Sequence, residues 1–240
     1  MFNFNESKQR IIDVLSDKTK IEEKEYVPSS DSTLTYENGI KSWVCAIFID
    51  IRDSSSYFEK NPDIVARVMR AFIQELIALI KDNDSKLHIL REIGIRGDCV
   101  YAIYTAPLKE HINNVLNVAT HIISLNNMFQ RILYKNHFPT FDIGIGIGAN
   151  EDVVVKVGKA YTDVNDKIWI GKAVVDASNL SCYGNSKTTN CKTIVISQCV
   201  FANLNDNDKI LFQKSNINGE TIYHGDFYFS EERDWVEKNV

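Results

Sequence analysis

Three observations predict an α+β domain of order βαββαβ. Apolar runs of strand length fall at residues 44–49, 87–95, 99–104 and 141–148. Two longer stretches between them, 62–80 and 109–134, carry apolar residues at helical spacing. The two central runs meet at Gly97-Asp98, a hairpin position. Strand, helix, strand, strand, helix, strand is the ferredoxin-like arrangement, with both long helices on one face of the sheet and the first strand beside the third.

Along the chain, residues 1–40 are polar and mixed in charge, with a short helix predicted around 9–15 and a turn-rich passage at Pro28-Ser29-Ser30-Asp31. They read as an arm that packs on a core or a partner. The pattern sharpens at Trp43, where 44–49 fit a buried strand. Pro62 opens a helix whose Val65, Val68, Phe72, Leu76 and Ile80 lie on one apolar face suited to cover a sheet. In the second helix Val115, Val118, Ile122, Leu125 and Phe129 form the buried side, which explains them without a cofactor. Glycine occupies every second position of Gly144-Ile145-Gly146-Ile147-Gly148 and leaves one strand face bare. Such a row marks close approach of a helix, another backbone or a ligand. It is no dinucleotide fingerprint, because the glycines alternate within a strand and no helix-opening turn follows. The expected division is an arm at 1–40, a main domain at 41–205 and a C-terminal β extension packed on the core at 206–240.

With 240 residues, 44% hydrophobic, the chain can bury one sizeable core without metal or disulfide. Lys+Arg 27 against Asp+Glu 32 gives a net charge of −5, and no Lys/Arg cluster tracks a nucleic-acid backbone, so nucleic acid is not an expected partner. Five cysteines without a C-x-x-C pair fit a reducing compartment. No run reaches the ~18 apolar residues of a membrane span, so the expected location is cytoplasmic with no membrane partner. The histidines are scattered without ligand spacing.

The chemistry centres on two aspartates that close apolar strand signatures, Asp50 in Phe48-Ile49-Asp50-Ile51-Arg52 and Asp98 in Ile95-Arg96-Gly97-Asp98-Cys99. An acidic side chain beside buried strand residues costs desolvation free energy unless something offsets it, and a bound divalent cation does so. One such aspartate is more often a turn former or a helix cap. Two in matching settings suggest a metal site of the kind used in phosphoryl transfer. Asp50 leads into Asp53-Ser54-Ser55-Ser56, a small polar turn whose backbone N–H groups could cradle phosphates.

Over residues 43–200 the chain resembles the class III nucleotidyl cyclases, through Phe48-Ile49-Asp50-Ile51, Gly97-Asp98, the glycine-alternating strand and Trp169-Ile170-Gly171-Lys172-Ala173-Val174. The resemblance implies attack of a nucleoside triphosphate's ribose 3′-hydroxyl on its own α-phosphorus, with release of pyrophosphate. It implies that Asp50 and Asp98, helped by the Ile51 carbonyl, hold two Mg²⁺ or Mn²⁺ ions. One ion would lower the pKa of the attacking hydroxyl and the other neutralise the triphosphate. Asp53, Ser54 and Ser55 fall where the family meets the phosphates, Ser55 being equally a helix-cap residue. The resemblance also implies a symmetric homodimer with two composite sites.

The departures from that pattern carry information too. Purine cyclases place a lysine four residues before the second metal aspartate and a polar residue three before the glycine that matches Gly171. Those positions are Gly94 and Ile168 here, which argues against ATP and GTP, since unmet hydrogen bonds are what make rejection steep. Val175 stands at the family's transition-state asparagine and Asn179 at its arginine, and a valine cannot donate a hydrogen bond. Lys172 and Arg96 are the nearest cationic candidates to replace that arginine, although Lys172 reads more simply as a solvated surface charge.

This combination resembles in particular the pyrimidine cyclases of bacterial Pycsar antiphage systems, through Asp-Ile-Arg with following serines, Arg-Gly-Asp, Gly-Lys-Ala-Val and a C-terminal strand, Tyr223-His224-Gly225-Asp226, ending near Trp235. It implies UTP or CTP as substrate, cyclic UMP or cyclic CMP as product, and a separate cyclic-nucleotide effector that responds to it. Three rivals compete. A diguanylate cyclase would carry Gly-Gly-Asp/Glu-Glu-Phe, which is absent. A catalytically degenerate nucleotide sensor is favoured by Val175 and Asn179 and disfavoured by the retained aspartates. A structural ferredoxin-like module leaves the paired aspartates as an unexplained cost.

Overall fold

The computed structural model describes residues 2–54, 57, 59, 61–85, 87–158 and 165–240. Among them, nine strands form one sheet. The strands are β1 (Lys20–Glu23), β2 (Asn38–Ile51), β3 (Leu90–Arg96), β4 (Cys99–Thr105), β5 (Ile143–Gly158), β6 (Asn165–Ile170), β7 (Ile194–Ser197), β8 (Gln213–Ile217) and β9 (Glu220–Gly225). The helices are α1 (Phe4–Ser16), α2 (Pro62–Asp84), α3 (Lys109–Lys135), α4 (Lys172–Tyr183), the short α5 (Gln198–Asn203) and α6 (Asp206–Lys209), and α7 (Ser230–Asn239).

The expected βαββαβ unit is β2-α2-β3-β4-α3-β5, and its strands lie in the order β3-β4-β2-β5. Both pairings of β2 are antiparallel, Ile49 opposite Val100 of β4 and Ile145 of β5. Alternation along β2 divides the core in two, because successive side chains point to opposite faces. Cys45, Ile47, Ile49 and Ile51 pack with Val65, Phe72, Leu76 and Ile80 of α2 and with Val115, Val118 and Ile122 of α3. Val44 and Ala46 face the other way, onto Ala173 and Ala177 of α4. α2 starts where the sequence signals it: Pro62 takes the first helical turn and the Asn61 side chain accepts from Asp63 N–H at 3.0 Å.

The ends of the chain add more than arms. The N-terminal helix is longer than the 9–15 expected, and it buries none of its residues. β1 pairs parallel with the start of β2. At the other end β9 pairs with β7, and β8 closes the sheet edge. Trp235 lies on α7, so the segment expected as a β extension is a hairpin followed by a helix. No helix among the described residues is long and apolar enough to cross a membrane.

Candidate active site

Asp50 is the penultimate residue of β2, and Asp98 forms the β3–β4 turn with Gly97. The antiparallel pairing of β2 with β4 brings these distant positions to the same end of neighbouring strands. Gly97, at φ 62, supplies the left-handed conformation of the tight turn. Burial raises the Asp50 pKa most, Arg52 opposes that shift, and the like charge of Asp98 adds to it. Cys99, beside both carboxylates, has its thiol pushed up to about 12, mainly by burial and then by Asp50 and Asp98. Two mutually repelling carboxylates on a half-buried sheet end suit a divalent cation, which neutralises both. Among the described residues no group of three His, Cys, Asp or Glu is set around a metal. A two-carboxylate site fits Mg²⁺ or Mn²⁺ that keeps water and phosphate oxygens as its other ligands.

The cation paired with Asp50 is Arg52. The chain turns back after β2, with Arg52 N–H donating to the Asp142 carbonyl at 2.7 Å. The guanidinium is thereby folded onto its own strand end. Its Nη2 donates to Asp50 Oδ2 and its Nη1 to the Cys182 carbonyl at 2.9 Å, near the end of α4. Only 14% of the side chain is exposed, and Nε is buried without a hydrogen-bond partner. Arg52 therefore ties Asp50 to α4, and a cation bound at Asp50 would compete with it. Arg96 lies exposed on β3. Lys172 is bound to Asp176 on the next turn of α4 at 2.6 Å.

In the turn after β2, Asp53 takes φ 53 and its carboxylate pairs with Lys187 at 2.9 Å, which lowers its pKa. Tyr57 N–H donates to the Asp53 carbonyl at 3.2 Å. Ser55 lies outside the described residues. Arg52 and Asp53 border a cleft of about 700 Å³ that extends to Arg131 and Lys135 of α3. Asn179 lines a second cleft, about 590 Å³, with Lys172, Asp176 and Gln198. Val175 is 56% exposed on the outer face of α4.

The bare glycine face of β5 receives α4. A Cβ at Gly144, Gly146 or Gly148 would overlap backbone atoms of Ser181, Ala177 or Ala173, so the row marks close helix approach. At the start of α4, Ala173 N–H donates to both oxygens of Asp152, at 3.2 and 3.1 Å, and Val174 N–H to one at 3.4 Å. Asp152 is 1% exposed, and burial raises its pKa against the lowering effect of those N–H groups. A Cβ at Gly171 would overlap this carboxylate, which explains glycine there. Gly94, expected to stand where purine cyclases carry a base reader, is covered by the Tyr101 ring, and Ile168 is 42% exposed on β6. Arg52 and Asp152 are the residues that sequence reasoning passes over. The one signal for Asp152 is an acid inside the strand pattern of β5.

No family model matches the chain. Among solved structures it is similar to the guanylyl cyclase Cya2, with TM-score 0.64 and 16% identity over 80% of this chain and 95% of that one. It is also similar to a class III adenylyl cyclase-like ATP-binding protein from Pseudomonas aeruginosa, with TM-score 0.68 and 17% identity over 97% of this chain and 48% of that one. The fold is thus that of the class III nucleotide cyclases. A uridylate cyclase of Treponema porcinum is 38% identical over 242 residues, covering 100% of this chain and 82% of the relative. One of Gulbenkiania mobilis is 28% identical over 257 residues, covering 99% and 97%. The chain belongs to this family of uridylate cyclases within class III.

Proposed function

We propose that the protein converts UTP to 3′,5′-cyclic UMP and pyrophosphate, with CTP as the alternative substrate. The observation that carries this is the Asp50–Asp98 pair on adjacent strands of a class III fold, in a chain 38% identical to a uridylate cyclase. In the reaction the ribose 3′-oxygen loses its proton and bonds to the α-phosphorus. The bond from that phosphorus to the β-phosphate oxygen breaks, and pyrophosphate leaves.

Asp50, Asp98 and the Ile51 carbonyl would hold two divalent cations, Mg²⁺ or Mn²⁺. These, when bound, supply charge neutralisation and a lower pKa for the attacking hydroxyl. Arg52, bound to Asp50, would be released by cations held there and would leave its positive charge at the same strand end. Asp53, Ser54 and Ser55 would receive the triphosphate, with Lys187 holding Asp53. Arg96 and Asn179 stand for the transition-state donors, and Lys172 is a second cation once it leaves Asp176. Gly94 and Ile168 offer no polar group to a purine edge, which disfavours ATP and GTP. A homodimer would complete each site across its two-fold axis. Residues 41–205 would form the catalytic unit, with 1–40 as an arm and 206–240 as its extension. The product would act in the cytoplasm on a separate effector in antiphage defence.

The test is incubation with each of ATP, GTP, CTP and UTP plus Mn²⁺, with cyclic products read by mass. Cyclic UMP from the parent and a loss of at least a thousandfold in Asp98→Ala, which leaves the Asp50–Arg52 pair in place, is the expected result. No product from any nucleotide would sink the proposal in favour of a nucleotide sensor.

A further inference from the structure

The sheet face that carries Asp50 bears a second polar cluster, which the reaction described above leaves unused. Phe48, two residues before Asp50, stacks on Tyr101 with ring centroids 5.0 Å apart. The Tyr101 ring lies over Gly94, the one residue type that leaves it room. From there its hydroxyl donates to Glu92 Oε1 at 2.7 Å. Trp169 Nε1 donates to Glu92 Oε2 at 2.8 Å, and Lys167 Nζ stands 3.8 Å from the same oxygen. Three elements converge on one carboxylate: Glu92 from β3, Tyr101 from β4, Lys167 and Trp169 from β6. The Glu92 side chain keeps 18% of its surface. Each carboxylate oxygen has about two lone-pair sites and accepts one of these hydrogen bonds, so each can still accept from a ligand.

We propose that Glu92 is a specificity-determining residue that reads the pyrimidine ring by accepting the N3–H of uracil. This rests on the reading of the chain as a pyrimidine cyclase. Uracil presents a donor at N3 between two carbonyl acceptors, whereas cytosine presents a lone pair at N3. A carboxylate only accepts and an ammonium only donates. Glu92 therefore matches N3–H of uracil and repels N3 of cytosine, while Lys167 donates to a ring carbonyl and the Tyr101 and Phe48 rings give the base an apolar floor. Glu92 lies four residues along β3 from Arg96, which pairs with Cys99, the neighbour of Asp50. At ~3.3 Å per residue and ~4.8 Å between strands, the Glu92 and Asp50 backbones are about 16 Å apart.

The experiment compares kcat/KM for UTP and CTP in the parent and in Glu92→Gln, which keeps the shape and replaces an acceptor by a donor. The UTP-to-CTP ratio is expected to fall at least about tenfold, the worth of one hydrogen bond to a charged group. An unchanged ratio, or equal losses on both substrates, would overturn the assignment and leave the cluster as a tie between β6 and β3. A binding measurement on the parent is independent of turnover and of that variant's folding. 3′-Deoxy-UTP, which lacks the attacking hydroxyl, is expected to change tryptophan fluorescence at about tenfold lower concentration than 3′-deoxy-CTP, with the response lost in Trp169→Phe. Equal responses to the two would overturn the reader. Discrimination in binding without any cyclic product would keep the reader and sink the cyclase.

Discussion

Asp152 is a carboxylate with almost no access to water, held at the N-terminal end of α4 by N–H groups of Ala173 and Val174. Burial wins over those donors and raises its pKa. A carboxyl whose native pKa lies above its unfolded value adds stability below the unfolded value. That contribution is lost as pH rises through the native one. In Asp152→Asn, which keeps an acceptor oxygen and cannot ionise, stability relative to the parent should therefore climb as pH rises above the ordinary aspartate value of about 4. Urea unfolding midpoints across that range measure it, and a flat difference would contradict the raised pKa. Arg52 shows the opposite balance. Its charge is compensated by Asp50, and its cost is the buried Nε left without an acceptor.

The seating of α4 on β5 depends on three missing side chains. Because the atoms opposite Gly146 are backbone atoms of Ala177, Leu180 and Ser181, no rotamer change can make room there. Gly146→Ala is expected to cost about 3 kcal/mol and roughly 10 °C in melting temperature. A calorimetric scan of the variant checks this, and a change below about 1 kcal/mol would mean that α4 shifts freely on the sheet. Helical and strand periods make α2, α3 and β2 to β5 legible in the amino-acid pattern. The glycine row announces a close neighbour, but the residues themselves cannot say whether it is a helix, another backbone or a ligand. The α4 pattern is short and lies far along the chain, so only folding reveals the face it covers.

In the molecule as a whole, Asp50 and Asp98 lie at one end of the sheet, and Asn179 lines a cleft on α4. If two copies complete each site, a mixture of Asp50→Ala and Asn179→Ala chains should recover activity that neither has alone. Random pairing makes half the dimers mixed, each with one intact site, so about a quarter of parental activity is expected at equal amounts. Mass detection of the cyclic product over a mixing series measures this. No recovery would place the aspartates and Asn179 in one chain's site.

The sequence by itself determined the alternation of strands and helices and the end-of-strand positions of Asp50 and Asp98. These are local properties, carried by period and by turn residues. Tertiary structure alone decided that Arg52 covers Asp50, that Asp152 caps a helix 20 residues away in sequence at Lys172, and that Trp169 and Lys167 meet Glu92 across the sheet. Those contacts join elements remote in sequence, and which polar groups meet is set by strand register and helix seating, quantities that no single segment encodes.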